Sequence, residues 1–317
     1  MKILANDGLS QSGITTLEAA GFEVLTTHVA QEQLADFIND NEVTGLLVRS
    51  ATQVRKELID SCQGLKLIGR GGVGMDNIDV EYAREKGLHV INTPAASSES
   101  VAELVFAHLF GGVRFLYDAN RNMPLEGDAN FKKLKKSYAK GAELRGKTLG
   151  IIGFGRIGRA TARIGLGVGM EIIFHDPFIE QAEIELPFFD GQSVSFSFNS
   201  LPKDEVLAKA DFISLHVPAQ KEYIIGRAEF DLMKDGVGLV NAARGGVIDE
   251  VALIDALESG RVRFAGLDVF ESEPRPEIKV LMHPNISLSP HIGAATGEAQ
   301  DRIGSELATQ IITLLKG

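Results

Sequence analysis

The chain has 317 residues, 44% of them hydrophobic and 24% charged, which excludes disorder, collagen-like repeats and coiled coil and suggests about two globular domains. With 32 Lys and Arg against 43 Asp and Glu the net charge is −11, so the chain repels polyanions and nucleic acid is excluded as its main partner. The only cysteine, Cys62, has no mate, and no segment has the apolar length of a signal peptide or membrane span, so the expectation is a cytoplasmic protein that meets no membrane.

Short apolar runs at residues 2–5, 22–25, 45–48, 65–69 and 88–92 alternate with helical periodicity such as that of residues 31–38, which predicts an α/β domain with a parallel sheet. Residues 97–117 read as one long helix linking two domains, with Ser97 or Ser98 as its cap and Val101, Leu104, Val105, His108 and Leu109 as its stripe. Residues 119–147 are polar and rich in lysine, including Lys132, Lys133, Lys135, Lys136 and Lys140. Gly127 and Gly141 interrupt them, so a loop with local helix at most is predicted. A second alternating series has strands at 148–152, 171–175, 212–216, 238–241, 264–268 and 286–288, a second doubly wound domain. Residues 297–315 close the chain as a helix with Ile303, Leu307, Ile311 and Leu314 on one face, expected to return to the first domain.

Between the strand at 148–152 and the helix after it lies Gly153-Phe154-Gly155-Arg156-Ile157-Gly158, and Asp176 ends the next strand about twenty residues on. This is the dinucleotide fingerprint in its required context: the first glycine permits the turn, the second leaves room for pyrophosphate, and the third lets helix and strand pack. Asp176 at this place would accept ribose hydroxyls and repel a 2′-phosphate, which favours NAD over NADP, although a turn with Pro177 is its other use. Arg156 is either a pyrophosphate contact or an exposed helix-start arginine.

Three polar, glycine-containing segments follow later strands: Asn241 to Gly246, Asp268 to Pro274 and Ser289 to Gly293. In an open parallel sheet such strand ends border the ligand crevice, so they are expected to converge on the nicotinamide end of a dinucleotide. Moving a hydride to or from an alcohol carbon needs a proton-handling group, a carboxylate that favours its charged form and an anchor for an anionic substrate. His291, Glu273 and Arg244 suit these roles, against the alternatives of a satisfied turn histidine, a solvated loop charge and an ion pair with Asp249. His216, followed by Val217 and Pro218, is placed in the lining of the cofactor pocket, whereas His28, His89, His108, His175 and His283 read as structural or surface residues. No metal-ligand cluster and no GxSxG elbow are present in the sequence. In the first half, Arg49 and Arg70 end two strands beside the turn Gly71-Gly72-Val73-Gly74, an arrangement suited to a small anionic substrate, phosphorylated on this reading, or to two ordinary surface arginines.

Taken together, VRSAT (from Val48), GRGGVGMDNID (from Gly69), NTPAASSESVAEL (from Asn92), GKTLGIIGFGRIGR (from Gly146), NAARGGVIDE (from Asn241), LDVFESEP (from Leu267) and SPHIGAAT (from Ser289) resemble the D-2-hydroxyacid dehydrogenase family over nearly the whole chain. The resemblance implies a flavodoxin-like substrate-binding domain of residues 1–94 and 290–317, an inserted Rossmann NAD-binding domain of residues 95–289, and a cleft between them. It implies Arg244, Glu273 and His291 as the catalytic trio, and Val73 and Gly74 as backbone donors to the substrate carboxylate beside Arg49 and Arg70. It further implies cofactor contacts at Gly153, Gly155, Arg156, Ile157, Gly158, Asp176, His216, Val217, Pro218, Ala243, Asp268 and Gly293, with Asp268 near the nicotinamide amide. Oxidation of D-3-phosphoglycerate toward serine is the expected activity; reduction of hydroxypyruvate, glyoxylate or another 2-oxo acid, and an NADH-responsive scaffold, are the alternatives. A homodimer or larger homo-oligomer through the long helix and lysine-rich stretch is likewise implied, with Lys135 or Lys136 as candidates to reach a neighbour's phosphate site. The chain departs from the family pattern at residues 184–198, long and aromatic enough to suggest an extra hairpin, and at residues 218–225. Because it ends at Gly317, the serine-binding regulatory domain of longer relatives is expected to be absent.

Overall fold

The computed structural model describes residues 1–316 and divides into two compact units, Met1–Ser100 joined by the chain from Ala294 onward, and Val101–Gly293. The joins expected at residues 94 and 290 fall a few residues before these.

In the first unit β1 (Lys2–Ala5), α1 (Gln11–Ala19), β2 (Glu23–Leu25), α2 (Leu34–Asp40), β3 (Val43–Val48), α3 (Lys56–Ser61), β4 (Leu67–Arg70), α4 (Val80–Glu85) and β5 (His89–Asn92) alternate. All neighbouring strands pair in parallel, in the order β2-β1-β3-β4-β5. The central strands are buried on both faces, through Ile3, Leu4, Leu46, Leu47, Leu67 and Ile68, which is why they read as continuous apolar runs rather than alternating ones.

The second unit opens within α5 (Ser98–Val113), from Val101, and continues with α6 (Leu116–Ser137). The single helix predicted over 97–117 is therefore two helices broken at Phe115, whose φ of +56° cannot continue a right-handed helix. The loop predicted over 119–147 is helical as far as Ser137. Pro124 and Gly127 lower helix propensity, but a kink at Asn130 joins two shorter stretches, and Tyr138 ties the ends together by donating to Asp118 Oδ2 and accepting from Asn122. These ties outweighed Gly127, one of the two glycines on which the loop expectation rested; the other, Gly141, lies beyond the helix.

There follow β6 (Thr148–Ile152), α7 (Arg156–Val168), β7 (Glu171–His175), β8 (Gln181–Pro187), β9 (Ser193–Asn199), α8 (Lys203–Lys209), β10 (Phe212–Leu215), α9 (Arg227–Leu232), β11 (Val237–Asn241), α10 (Glu250–Glu258), β12 (Val262–Leu267), α11 (Ile278–Met282) and β13 (Ile286–Leu288). Six strands form a parallel sheet in the order β13-β12-β11-β10-β6-β7, the doubly wound arrangement predicted. The aromatic stretch after Asp176 is indeed an extra antiparallel hairpin, β8 on β9, with Ile184 opposite Phe196. α12 (Gly297–Lys316) returns to the first unit, where Ile303, Leu307 and Ile311 join Ile3, Ala5 and Leu17 in one core. Its stripe continues at Leu315, not at Leu314, which is exposed: the i, i+4 row set by the three buried residues reaches 315. Among the described residues no single helix is long and apolar enough to cross a membrane.

Candidate active site

At one end of the six-stranded sheet, β6 runs into the glycine loop and α7. Gly153 has φ +92° and lies against the backbone of His216, whose carbonyl oxygen would stand 2.5 Å from any Cβ there, so only glycine fits. Gly158 packs as closely on the Gly153 carbonyl. At Gly155 the situation is reversed: the place of a Cβ is open, with nothing within 4 Å, directly in front of the α7 N-terminus. An open glycine facing free helix N–H groups is the cradle a pyrophosphate needs, so the loop fits a dinucleotide. Arg156 beside it is exposed.

Asp176 follows β7. Its Oδ2 accepts the Phe154 N–H at 2.7 Å, tying it to the glycine loop, and its Oδ1 accepts the Phe178 N–H at 2.9 Å, so the turn with Pro177 and proximity to the loop both hold. The residue stays partly exposed. His216 meets the loop through its backbone. Its imidazole is turned inward, Nε2 lying 2.9 Å from Ser214 Oγ and 3.1 Å from Thr161 Oγ1, while Nδ1 is buried with no partner. Burial pushes this histidine down to about 3. Val217 is half-buried and Pro218 exposed.

At the other end of the same sheet, the segments after β11, β12 and β13 meet. Glu273 Oε1 accepts the Phe270 N–H at 2.9 Å, which fixes the carboxylate on its own loop, and Oε2 lies 2.8 Å from His291 Nδ1. His291 has φ +55°, a left-handed conformation rare for a residue with a side chain, and it is held there by its neighbours: Asp268 accepts the Ile292 and Gly293 N–H groups, each at 2.8 Å. The pair lies on the wall of a cavity of about 370 Å³, lined also by Ser289 and by apolar groups such as Phe270, Leu281 and Leu288. Arg244, half-buried, donates from Nη1 to the Ala243 carbonyl, and its own carbonyl accepts from Asn241 Nδ2 at 2.9 Å. Asp249, its alternative ion-pair partner, instead caps α10 by accepting the Val251 and Ala252 N–H groups.

Asp268 is 1% exposed, and its carboxylate meets three donors of the chain itself, the third being Ser289 Oγ at 2.6 Å. One residue and one set of bonds escaped the sequence reading here. Glu250 is 7% exposed and forms a reciprocal pair with Glu271, each backbone N–H donating to the other's Oε1 at 2.9 Å, and burial raises its pKa. His108, on α5, is bonded to both Ser287 and Ser289. The readable signal for it was a histidine inside an apolar helical stripe together with serines two apart on a strand.

In the first unit, Arg49 and Arg70 stand at the ends of the paired strands β3 and β4 and flank the glycine turn. The Arg70 guanidinium lies over Gly72, and the Arg49 side chain passes 3.6 Å from the place of a Gly71 Cβ. Val73 is exposed and Gly74 half-buried, and the turn is pinned by Asn92 Nδ2 donating to the Val73 carbonyl at 2.7 Å. Among the described residues no group of three His, Cys, Asp or Glu could hold a metal ion.

Residues 106–293 match the family described as D-isomer specific 2-hydroxyacid dehydrogenase, NAD binding domain. The chain belongs to that family, and its second unit is the NAD-binding domain. Among its relatives, the D-3-phosphoglycerate dehydrogenase of Methanocaldococcus jannaschii is 43% identical over 319 residues, covering all of this chain and 58% of that protein, so the chain spans little more than half that relative's length. The hydroxypyruvate reductase of Thermotoga maritima is 42% identical over 316 residues, covering 98% of this chain and 97% of that one. Among solved structures, the D-lactate dehydrogenase of Aquifex aeolicus complexed with NAD and lactic acid matches with a TM-score of 0.76 at 30% identity, covering 100% of this chain and 96% of that one.

Proposed function

We propose that the protein is an NAD-dependent oxidoreductase of a D-2-hydroxy acid, and that the acid is D-3-phosphoglycerate, oxidised to 3-phosphohydroxypyruvate. The observation that carries the reading is the 2.8 Å bond from Glu273 to His291 Nδ1 within an NAD-binding domain. Glu273 occupies Nδ1 and fixes the ring, so Nε2 is the atom at which His291 takes the hydroxyl proton during oxidation or returns it during reduction. NAD, when bound, supplies the hydride acceptor. Gly153, Gly155, Gly158 and the α7 N-terminus would hold its pyrophosphate, Asp176 its ribose hydroxyls, and Arg156, Ile157, Val217, Pro218, Ala243, Asp268 and Gly293 complete the expected contacts. Arg244 would clamp the substrate carboxylate together with the Val73 and Gly74 N–H groups, while Arg49 and Arg70 would read the phosphate. The exposed apolar side chains of α5 and α6, among them Phe110, Leu116, Leu125 and Phe131, support a homodimer through these helices.

A second reading, reduction of hydroxypyruvate, is favoured by the near-complete overlap with the Thermotoga relative. Following NADH absorbance with 3-phosphohydroxypyruvate, hydroxypyruvate and glyoxylate separates the two. Arg49→Gln or Arg70→Gln is expected to cost about tenfold to a hundredfold in kcat/KM on the phosphorylated acid, as charge-assisted bonds of roughly 1.5–3 kcal/mol are lost, and far less on the others. Equal losses on all three would assign these arginines to the carboxylate or the fold, and hydroxypyruvate reduction would become the better reading.

A further inference from the structure

His108 is 5% exposed, its imidazole accommodated by Gly266 on β12: a Cβ at that position would lie 2.6 Å from the His108 Cβ and 2.8 Å from Cγ. Both ring nitrogens are used. Nδ1 lies 2.9 Å from Ser287 Oγ, and Nε2 lies 3.0 Å from Ser289 Oγ. The two serines, two residues apart at the end of β13, turn the same way, as strand geometry requires.

The proton positions follow from the far end of this chain. Backbone N–H groups only donate, so the Asp268 carboxylate accepts from Ile292 and Gly293, and the Ser289 hydroxyl, 2.6 Å from Oδ1, donates to it as well. With its hydrogen committed, Ser289 Oγ must accept from His108 Nε2–H. Nδ1 is then the acceptor, and Ser287 donates to it. Burial lowers the pKa of His108 against the opposing pull of Asp268, in keeping with a neutral ring.

We propose that His108 is a positioning residue: through Nε2–H it orients Ser289 onto Asp268, and so secures the turn in which His291, with its left-handed backbone, meets Glu273. The catalytic consequence rests on reading His291 as the proton-handling group, whereas the tautomer does not. His108 touches neither reacting atoms nor cofactor by this account. It removes the freedom of a hydroxyl that could otherwise rotate away from Asp268, and in a left-handed turn the loss of one support releases the strain locally.

The test has two arms. Long-range proton–nitrogen NMR on imidazole-labelled protein should show one histidine as the Nε2–H tautomer, unchanged from about pH 5.5 to about pH 8.5, and that signal should vanish in His108→Leu. In steady-state kinetics, His108→Leu and Ser289→Ala should each lower kcat about five- to fiftyfold with NADH affinity within about twofold of the unaltered protein. The double variant should lose little more than either single one, because both break the same chain. Ser289→Thr, which keeps the hydroxyl, should recover most of the loss. An Nδ1–H tautomer, or additive losses in the double variant, would overturn the proposal, as would unchanged kcat in Ser289→Ala, a variant that deletes a single oxygen should His108→Leu fail to fold. A protein that turns over no 2-oxo acid removes the functional reading and the catalytic consequence with it, and the spectrum still decides the proton arrangement.

Discussion

An aspartate stands one residue past each of two strands of the NAD-binding domain's sheet, Asp176 after the edge strand β7 and Asp268 after β12, next to the opposite edge, and each accepts backbone N–H groups from a neighbouring turn. Asp176 is partly exposed and takes two such bonds, leaving lone pairs toward solvent for a ligand's hydroxyls. Asp268 is 1% exposed and takes three donors. On the proposed reading the same residue, one position past a strand, would face a ligand in one case and secure the catalytic turn in the other, with burial deciding between them. A histidine with its ring turned inward underlies each of these turns: His216 beneath the glycine loop, bonded to Ser214 and Thr161, and His108 beneath the His291 turn, bonded to Ser287 and Ser289.

The largest expected contrast is in stability. Asp268→Ala strands the buried Gly293 N–H and Ser289 hydroxyl, which should cost about 2–5 kcal/mol in urea unfolding, whereas Asp176→Ala strands only the N–H of buried Phe154, its other donor Phe178 being exposed, and should cost less, about 1–2 kcal/mol. Equal losses would break the comparison. Next comes pH. Unfolded histidine titrates near 6.5 and His216 is pushed down to about 3 in the fold, so the unfolded chain binds the extra proton between these values. The stability that His216 contributes is fully present above about pH 6.5 and falls as pH drops toward 3, and His216→Asn should flatten that part of the stability–pH curve; an unchanged slope would show that the ring charges freely in the fold. The smallest effect is on cofactor choice. Asp176→Ala should narrow the preference of kcat/KM for NAD over NADP, and equal kcat/KM for the two cofactors in the unaltered protein would contradict the ribose role of Asp176.

Much of this was legible in residue order. The glycine loop, Asp176 and the Glu273–His291 pair announce themselves because each chemical demand is local: a turn, a helix start, a polar run after an apolar strand. The strands were legible for the same reason, since two-sided burial leaves continuous apolar runs. What escaped depended on partners distant in sequence. α6 reads as a loop from sequence because Gly127 and Gly141 are visible and the Asp118–Tyr138 tie is not. The link between His108 and Asp268 escapes, because nothing in sequence shows that Ser289, 181 residues beyond His108, joins the two.

The central claim, that the glycine-loop end anchors the cofactor while His291 at the other end handles the proton, is tested most directly on His291→Ala. NADH binding, followed by fluorescence, should stay within about twofold of the unaltered protein, while single-turnover oxidation of that NADH by the preferred 2-oxo acid should slow by about 10² to 10⁴. Near-normal turnover would remove His291 from the chemistry, and a matching loss of NADH binding would show that the two ends are not separate.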